Sequence, residues 1–298
     1  MSWRGFLSYG FLCLFAVGTS YGQANILNAD TPDEIGKKSE AQIIADKNDK
    51  PLEYGYVGDR DILWAKGVWE IIDLDERVNF PLYYPIDTNN IGSSRRSLYD
   101  VLMKGIKDGD IKNIYADSYF TEKRTLKDIG ATLSKVDTTD LGIEQYNAGE
   151  EVSQQYIDRR DLTSADIAEY HIRGMWYFDK RQAELKYRLL GIAPVAPDVN
   201  FIDSGQTDLV ELFWVWYPDA RQILHDAHVF NGGNTAQDLS FDMLLNSRRF
   251  EGVIYKEDNV QGDRKIDEYI VDNAFMQLLE SQRIKEQIRN FEQDMWNY

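Results

Sequence analysis

The spacing of apolar residues changes several times along the chain, and each change marks an element. Residues 62–74, ILWAKGVWEIIDL, are mostly β-branched or aromatic. Trp69 and Ile71 alternate with Val68, Glu70 and Ile72, the period-two pattern of a strand. Ile62, Ala65, Trp69 and Ile72 also suit a helix face, so a helix stays open beside the strand. Pro81 and Pro85 then interrupt the pattern. Ser97 stands as an N-cap before Leu98, Val101, Leu102, Gly105 and Ile106 at helical spacing. Residues 111–115 predict a strand and residues 121–133 a helix.

The β signal is clearest in the second half. Tyr170, Ile172, Met175 and Tyr177 belong to one strand. Leu185, Tyr187 and Leu189 alternate with Lys186 and Arg188 in a second, with residues 179–182 turning between them. Residues 210–217 predict a third strand, apolar on both faces and hence central or covered. Pro218 and Asp219 open a short helix through Leu224. Residues 238–249 predict a helix, residues 253–256 a strand, and residues 272–294 a long helix with Ala274, Leu278, Ile284 and Ile288 on one stripe.

The halves echo each other. Leu98-Tyr99-Asp100-Val101-Leu102 resembles Ser240-Phe241-Asp242-Met243-Leu244, and Ile114-Tyr115-Ala116-Asp117 resembles Ile254-Tyr255-Lys256-Glu257. Asp75 and Arg77 match Asp219 and Arg221. A duplicated strand–helix–helix–strand unit accounts for this; chance likeness of short amphipathic segments is the alternative. The expected fold is α+β: two related half-domains with antiparallel sheet and flanking helices, plus a long C-terminal helix. The first unit spans 59–133, the second 163–298, and the polar, glycine-punctuated stretch 134–162 is a linker.

The N-terminus reads as an export signal. Arg4 precedes an apolar run over residues 6–17, and small residues follow to Gly22. The run is shorter than the roughly 20 residues of a membrane-spanning helix. Cleavage is expected between Gly22 and Gln23. Cys13 lies inside the apolar run, too early for a lipid-bearing cysteine. It leaves with the signal, so the mature chain has no disulfide and no thiol chemistry. Residues 23–58 are polar and read as an arm with little core of its own. The formal net charge of −17 disfavours nucleic acid and anionic lipid as partners.

Little in the sequence points to catalysis. No serine sits in a nucleophile elbow, and only three histidines are present, His171, His225 and His228. His225 and His228, three apart with Asp226 between them, could share a helix face, and a zinc site there would need a third and fourth ligand from elsewhere. Gly232-Gly233 is a turn without the Lys-Ser/Thr of a phosphate loop. Residues 257–268 place Gly262 and Glu268 as a calcium loop requires, yet Glu257, Gln261 and Arg264 depart from its pattern. No catalytic residue, metal or cofactor is expected. Seven tryptophans leave a secreted carbohydrate-binding or hydrolytic protein as the rival reading.

The segment Asp61–Leu74, followed by Glu76-Arg77-Val78-Asn79 and Pro81-Leu82-Tyr83-Tyr84-Pro85, resembles the opening motif of the GldN (PorN) gliding-motility family. The Ser97–Leu102 helix and the turn Tyr217-Pro218-Asp219-Ala220-Arg221 are similar to that family too. The resemblance implies a non-catalytic periplasmic subunit of the type IX secretion system of Bacteroidota. It implies self-association in a ring with a GldK/PorK-type outer-membrane lipoprotein, and contact with a GldM/PorM-type inner-membrane motor protein. Aromatic residues dominate interface hot spots, so Trp64, Trp69, Tyr83, Tyr84, Trp214 and Trp216 are the candidate contact residues.

Overall fold

A computed structural model describes residues 40, 43, 44, 48–87, 95–149, 153–199, 208–234 and 239–296. The leader, the expected Gly22–Gln23 cleavage point and most of the 23–58 arm lie outside the described residues. Pro51–Tyr298 forms one compact unit. Within Met1–Lys50 the described residues 40, 43, 44 and 48 are helical.

The chain opens its sheet with β1 (Ile62–Asp73), a strand along its whole length. The helix Phe80–Tyr83 (α1) has proline near its start, where no N–H is needed. Helix α2 (Leu98–Asp108) is capped as expected, its Ser97 hydroxyl accepting from the Asp100 N–H. The strand expected at 111–115 shrinks to β2 (Ile114–Tyr115). Helix α3 (Leu126–Leu133) starts later than the sequence suggested. The reason is Asp117, whose carboxylate gathers the N–H groups of Tyr119, Thr121 and Glu122 into a turn, while Asp128 accepts from Thr125 to open the helix.

The polar stretch 134–162 is more than a linker. It contains β3 (Ser134–Thr138), α4 (Asp140–Asn147) and β4 (Ile157–Asp161), and among the described residues β3 pairs only with β4. Next come β5 (Glu169–Asp179) and β6 (Glu184–Pro197), a long hairpin. The expected third strand is two short ones, β7 (Leu209–Glu211) and β8 (Trp214–Trp216), each paired to a different stretch of β6. Helix α5 (Tyr217–Asp226) follows, then β9 (His228–Val229). The expected helix at 238–249 begins instead as β10 (Leu239–Ser240) and continues as α6 (Phe241–Asn246), capped by Ser240. Strand β11 (Val253–Glu257), the short α7 (Ile266–Tyr269) and α8 (Ala274–Trp296) complete the chain.

The expected halves are not separate bodies, because their strands share one antiparallel sheet ordered β11-β1-β5-β6-β8-β2, with β7 beside β6. The order is symmetric about the β5–β6 hairpin. The strand at the start of each internal sequence repeat, β1 or β8, pairs with the strand that ends the other repeat, β11 or β2. Between them each half carries a serine-capped helix. The caps align Ser97 with Ser240, one residue off the sequence match. That shift also aligns the buried Leu98, Val101 and Leu102 with Phe241, Leu244 and Leu245. Burial decides the register, since one step of slip would turn the apolar stripe outward.

Cross-strand partners point to the same face of a sheet. One such row runs Ile254, Glu70, Ile172, Ile192, Val215, Ile114, all buried. Helices α2, α5 and α6 cover its β5–β8 part, and α8 covers Val68 and Ile254 with Ile284 and Ile288. The neighbouring row, Lys256, Trp69, Arg173, Gly191, Trp216, looks the other way. It meets no helix in its middle; Tyr119 and Phe120 of the loop after β2 lie over it. Phe120 takes a left-handed φ of 61°, and a Cβ on Gly191 would stand 2.5 Å from its ring. The glycine is what lets the ring approach the sheet. The stripe expected on the C-terminal helix is only partly used: Ile284, Ile288 and Ser281 are buried, whereas Ala274 and Leu278 are exposed.

Candidate interaction surfaces

The motif of residues 76–85 builds a surface groove. Asn79 fixes its start: its Nδ2 donates to the carbonyls of Asp73 (2.7 Å) and Glu251 (3.0 Å), and its Oδ1 accepts from the Glu251 N–H. Leu82 points into the core. Tyr83 is tied back through its hydroxyl, which donates to the Ala165 carbonyl at 3.1 Å. Tyr84 is thereby turned outward before a cis Tyr84–Pro85 bond, with its ring edge-on to Phe80 and Tyr83. Phe80, Pro81, Tyr84 and Pro85, with Phe230 opposite, line a groove of about 520 Å³, and Arg77 and Arg95 flank it. Phe80 is 38% exposed, Tyr84 49% and Phe230 48%. Large apolar side chains left this open mark a contact surface. The Arg95 guanidinium stands 5.2 Å from the Phe230 ring.

The other candidate aromatics divide. Trp64 is half-buried and stacks on Phe291 of α8 at 4.6 Å, beside a second groove bordered by Arg283, Glu286 and Asn290. Trp216 is partly buried against Phe120. Trp69 and Trp214 are fully buried, so they have no surface to offer a partner; they serve the core. Trp69 is held between two cations, Arg173 at 4.8 Å and Lys256 at 4.5 Å, with Tyr119 beside it. Burial holds the Lys256 amine below its usual range. Trp214 donates to Glu211 at 2.6 Å. A sugar-binding face needs open rings, and these two tryptophans are closed off.

Glu211 also accepts from His171 Nδ1 at 2.7 Å, and Glu169 lies 3.4 Å from Nε2. Burial pulls the His171 imidazole down, but bonds and charges from the two carboxylates outweigh it, so its pKa is raised. For Glu211, burial pushes upward while His171 and Trp214 hold it below the usual carboxylate range. On the helical face, Glu70 accepts two bonds from Arg248, at 3.0 and 2.7 Å. The turn Tyr217–Arg221 has an equivalent purpose. Tyr217 and Arg221 both bond Asp242, and the Asp219 carboxylate accepts from the backbone of Lys112 and Asn113. Tyr54, expected in a loose arm, bonds Asn246 at 2.8 Å and stacks under Arg221. The arm is anchored from there onward.

Among the described residues no group of three or more His, Cys, Asp or Glu is placed to hold a metal. In the acidic loop, Asn259 Oδ1 accepts from the N–H groups of Gln261 and Asp263, and Asp263 accepts from Asn259 N–H. The other Asp263 oxygen accepts from the Tyr119 hydroxyl at 2.8 Å, and Gly262 supplies a left-handed turn. His225 and His228 sit on α5 and β9 without further ligands. No helix among the described residues is long and apolar enough to cross a membrane.

The family model described as "Gliding motility associated protein GldN" matches residues 57–297. The chain belongs to the GldN family. The match begins just before β1 and ends with α8, so it takes in the groove and the whole shared sheet. No curated protein matches the chain significantly. Reading the GldN motif alone reached Tyr83 and Tyr84. Phe80 was legible beside them, but Phe230 and Arg95 arrive at the groove only through folding and carry no local signal.

Proposed function

We propose that this GldN-family protein is a non-catalytic structural subunit of the type IX secretion and gliding machinery, working in the bacterial periplasm. In this reading it is soluble and held at the outer membrane through a GldK/PorK-type lipoprotein. It joins copies of itself in a ring and contacts a GldM/PorM-type inner-membrane motor protein. The observation that carries the reading is the open groove of Phe80, Tyr84, Pro85 and Phe230, which the family's own motif builds. Large exposed rings gathered in one groove are a feature of docking surfaces. The leader-like N-terminus supports export, and the buried ion pairs supply a rigid body on which a contact surface can be held.

The test is affinity purification of the tagged full chain from detergent-solubilised envelopes, with sizing and mass spectrometry. A large particle containing the lipoprotein is expected. Tyr84→Ala combined with Phe230→Ala should remove a partner from it while leaving the isolated protein folded, since truncating hot-spot rings costs about 2 kcal/mol or more of binding each. A lone, folded wild-type monomer under conditions that preserve other envelope complexes would overturn the reading.

A further inference from the structure

Residues 134–161 leave the main sheet as an arm. Strands β3 and β4 form a sheet of two, joined through α4, and none of their residues is buried. Val136 is 57% exposed. A two-stranded hairpin is at best marginal in water, and the register weakens this one further. Lys135 stands opposite Arg160, and Asp137 opposite Asp158. Like charges directly opposite each other destabilise a strand pair. Lys135 bonds Asp137 two residues along its own strand, at 2.9 Å.

The free edge of β3 has the contrary property. The Leu162 N–H donates to the Leu133 carbonyl, and the Thr139 N–H to the Tyr156 carbonyl. Antiparallel alternation then turns the backbone groups of Lys135 and Asp137 towards β4, and those of Val136 and Thr138 outward. The outward edge is self-complementary. Laid antiparallel on a second copy with Val136 facing Val136, it brings Lys135 opposite Asp137 on both sides of the centre. The two Val136 residues exchange N–H and C=O bonds, and the Thr138 N–H reaches the Ser134 carbonyl of the other copy. The Ser134 N–H stays on the Gly130 carbonyl, so the Thr138 carbonyl of the other copy keeps water as its partner.

We propose that β3 pairs edge to edge with β3 of a second copy of this chain, joining two hairpins into one four-stranded sheet. The inference rests on the reading that copies of the chain meet in an assembly, and it names the strand of one of their contacts; a self-complementary edge closes as a pair, so a ring needs a second, different contact beside it. Charge complementarity selects a second copy as the occupant, because the order cation, valine, anion along β3 is matched by its own reverse.

The experiment uses the full chain. Lys135→Asp and Asp137→Lys each place opposite charges across β3 and β4, so the hairpin itself is strengthened. Each one sets like charges across the interface between copies. Sedimentation should show each single variant associating about tenfold more weakly than wild type, and an equimolar mixture of the two recovering association, because unlike charges again face each other. In a Cys13→Ser background, Val136→Cys should cross-link into a covalent dimer under mild oxidation. Single variants that associate like wild type, a Val136→Cys chain that associates without cross-linking, or a wild-type chain that stays monomeric would each overturn the pairing. A lipoprotein-containing particle indifferent to these substitutions overturns it while leaving the scaffold role intact; absence of any such particle from wild-type envelopes overturns the scaffold role itself.

Discussion

Glu70 is the residue with most at stake. It is 1% exposed in the middle of an otherwise apolar row, and two bonds from Arg248 satisfy it. Removing one partner of a buried pair leaves a charge without compensation, at about 3–5 kcal/mol. Arg248→Leu should therefore lower the urea midpoint strongly, and Glu70→Leu added to it should recover much of the loss. Trp69→Ala should cost about 3–5 kcal/mol as a cavity, seen as a lower thermal midpoint, whereas Tyr84→Ala should leave that midpoint nearly unchanged. His171 gives a pH dependence. Its folded pKa lies above the usual value near 6.5. Its contribution is then complete below about pH 6.5 and is lost as pH rises through the folded value. Glu211, whose pKa is lowered, is fully ionised over that window and adds no slope. Urea stability of the wild type should fall as pH rises above about 6.5, and His171→Gln should flatten that fall.

At the scale of elements, local signals were legible where a side chain serves its own backbone. Ser97 caps its helix as the sequence implies, and Ser240 does the same one position from where the internal match put it. Ser240→Ala should cost about 1 kcal/mol. Ser97→Ala should cost more, since Ser97 also bonds the Ser164 hydroxyl at 2.8 Å; paired denaturation curves decide between them. Elements failed to be legible where their ends are set from elsewhere. The helix expected from Thr121 waits until Leu126 because Asp117 takes the intervening N–H groups. The strand expected at 210–217 breaks at Leu212 and Phe213 because its two ends pair with different stretches of β6. The polar stretch 134–162 hid a hairpin because exposed strands have no apolar alternation to betray them.

For the whole molecule, the exchange of closing strands makes the two halves interdependent. Neither β11 nor β2 has its partner within its own half, so cutting the chain between units should yield two fragments that do not fold separately. Circular dichroism of each fragment alone, and of the two mixed, tests this: structure should return only on mixing. The domain boundary read from polarity fell on the hairpin of β3 and β4, which lies outside the shared sheet.

The sequence by itself determined the family, the mixed α+β class, the Ser97 cap and the long hairpin. These rest on neighbours within a few residues, or on a motif whose order survives in the chain. Tertiary structure decided which aromatics were buried. Trp64 and Trp69 differ by one strand position of phase, and only the loop at Tyr119 and Phe120 closes over the second. It also decided that Phe230 and Arg95 complete the groove and that two halves share a sheet. Burial and strand pairing are properties of what comes to lie opposite, and the chain order does not record them.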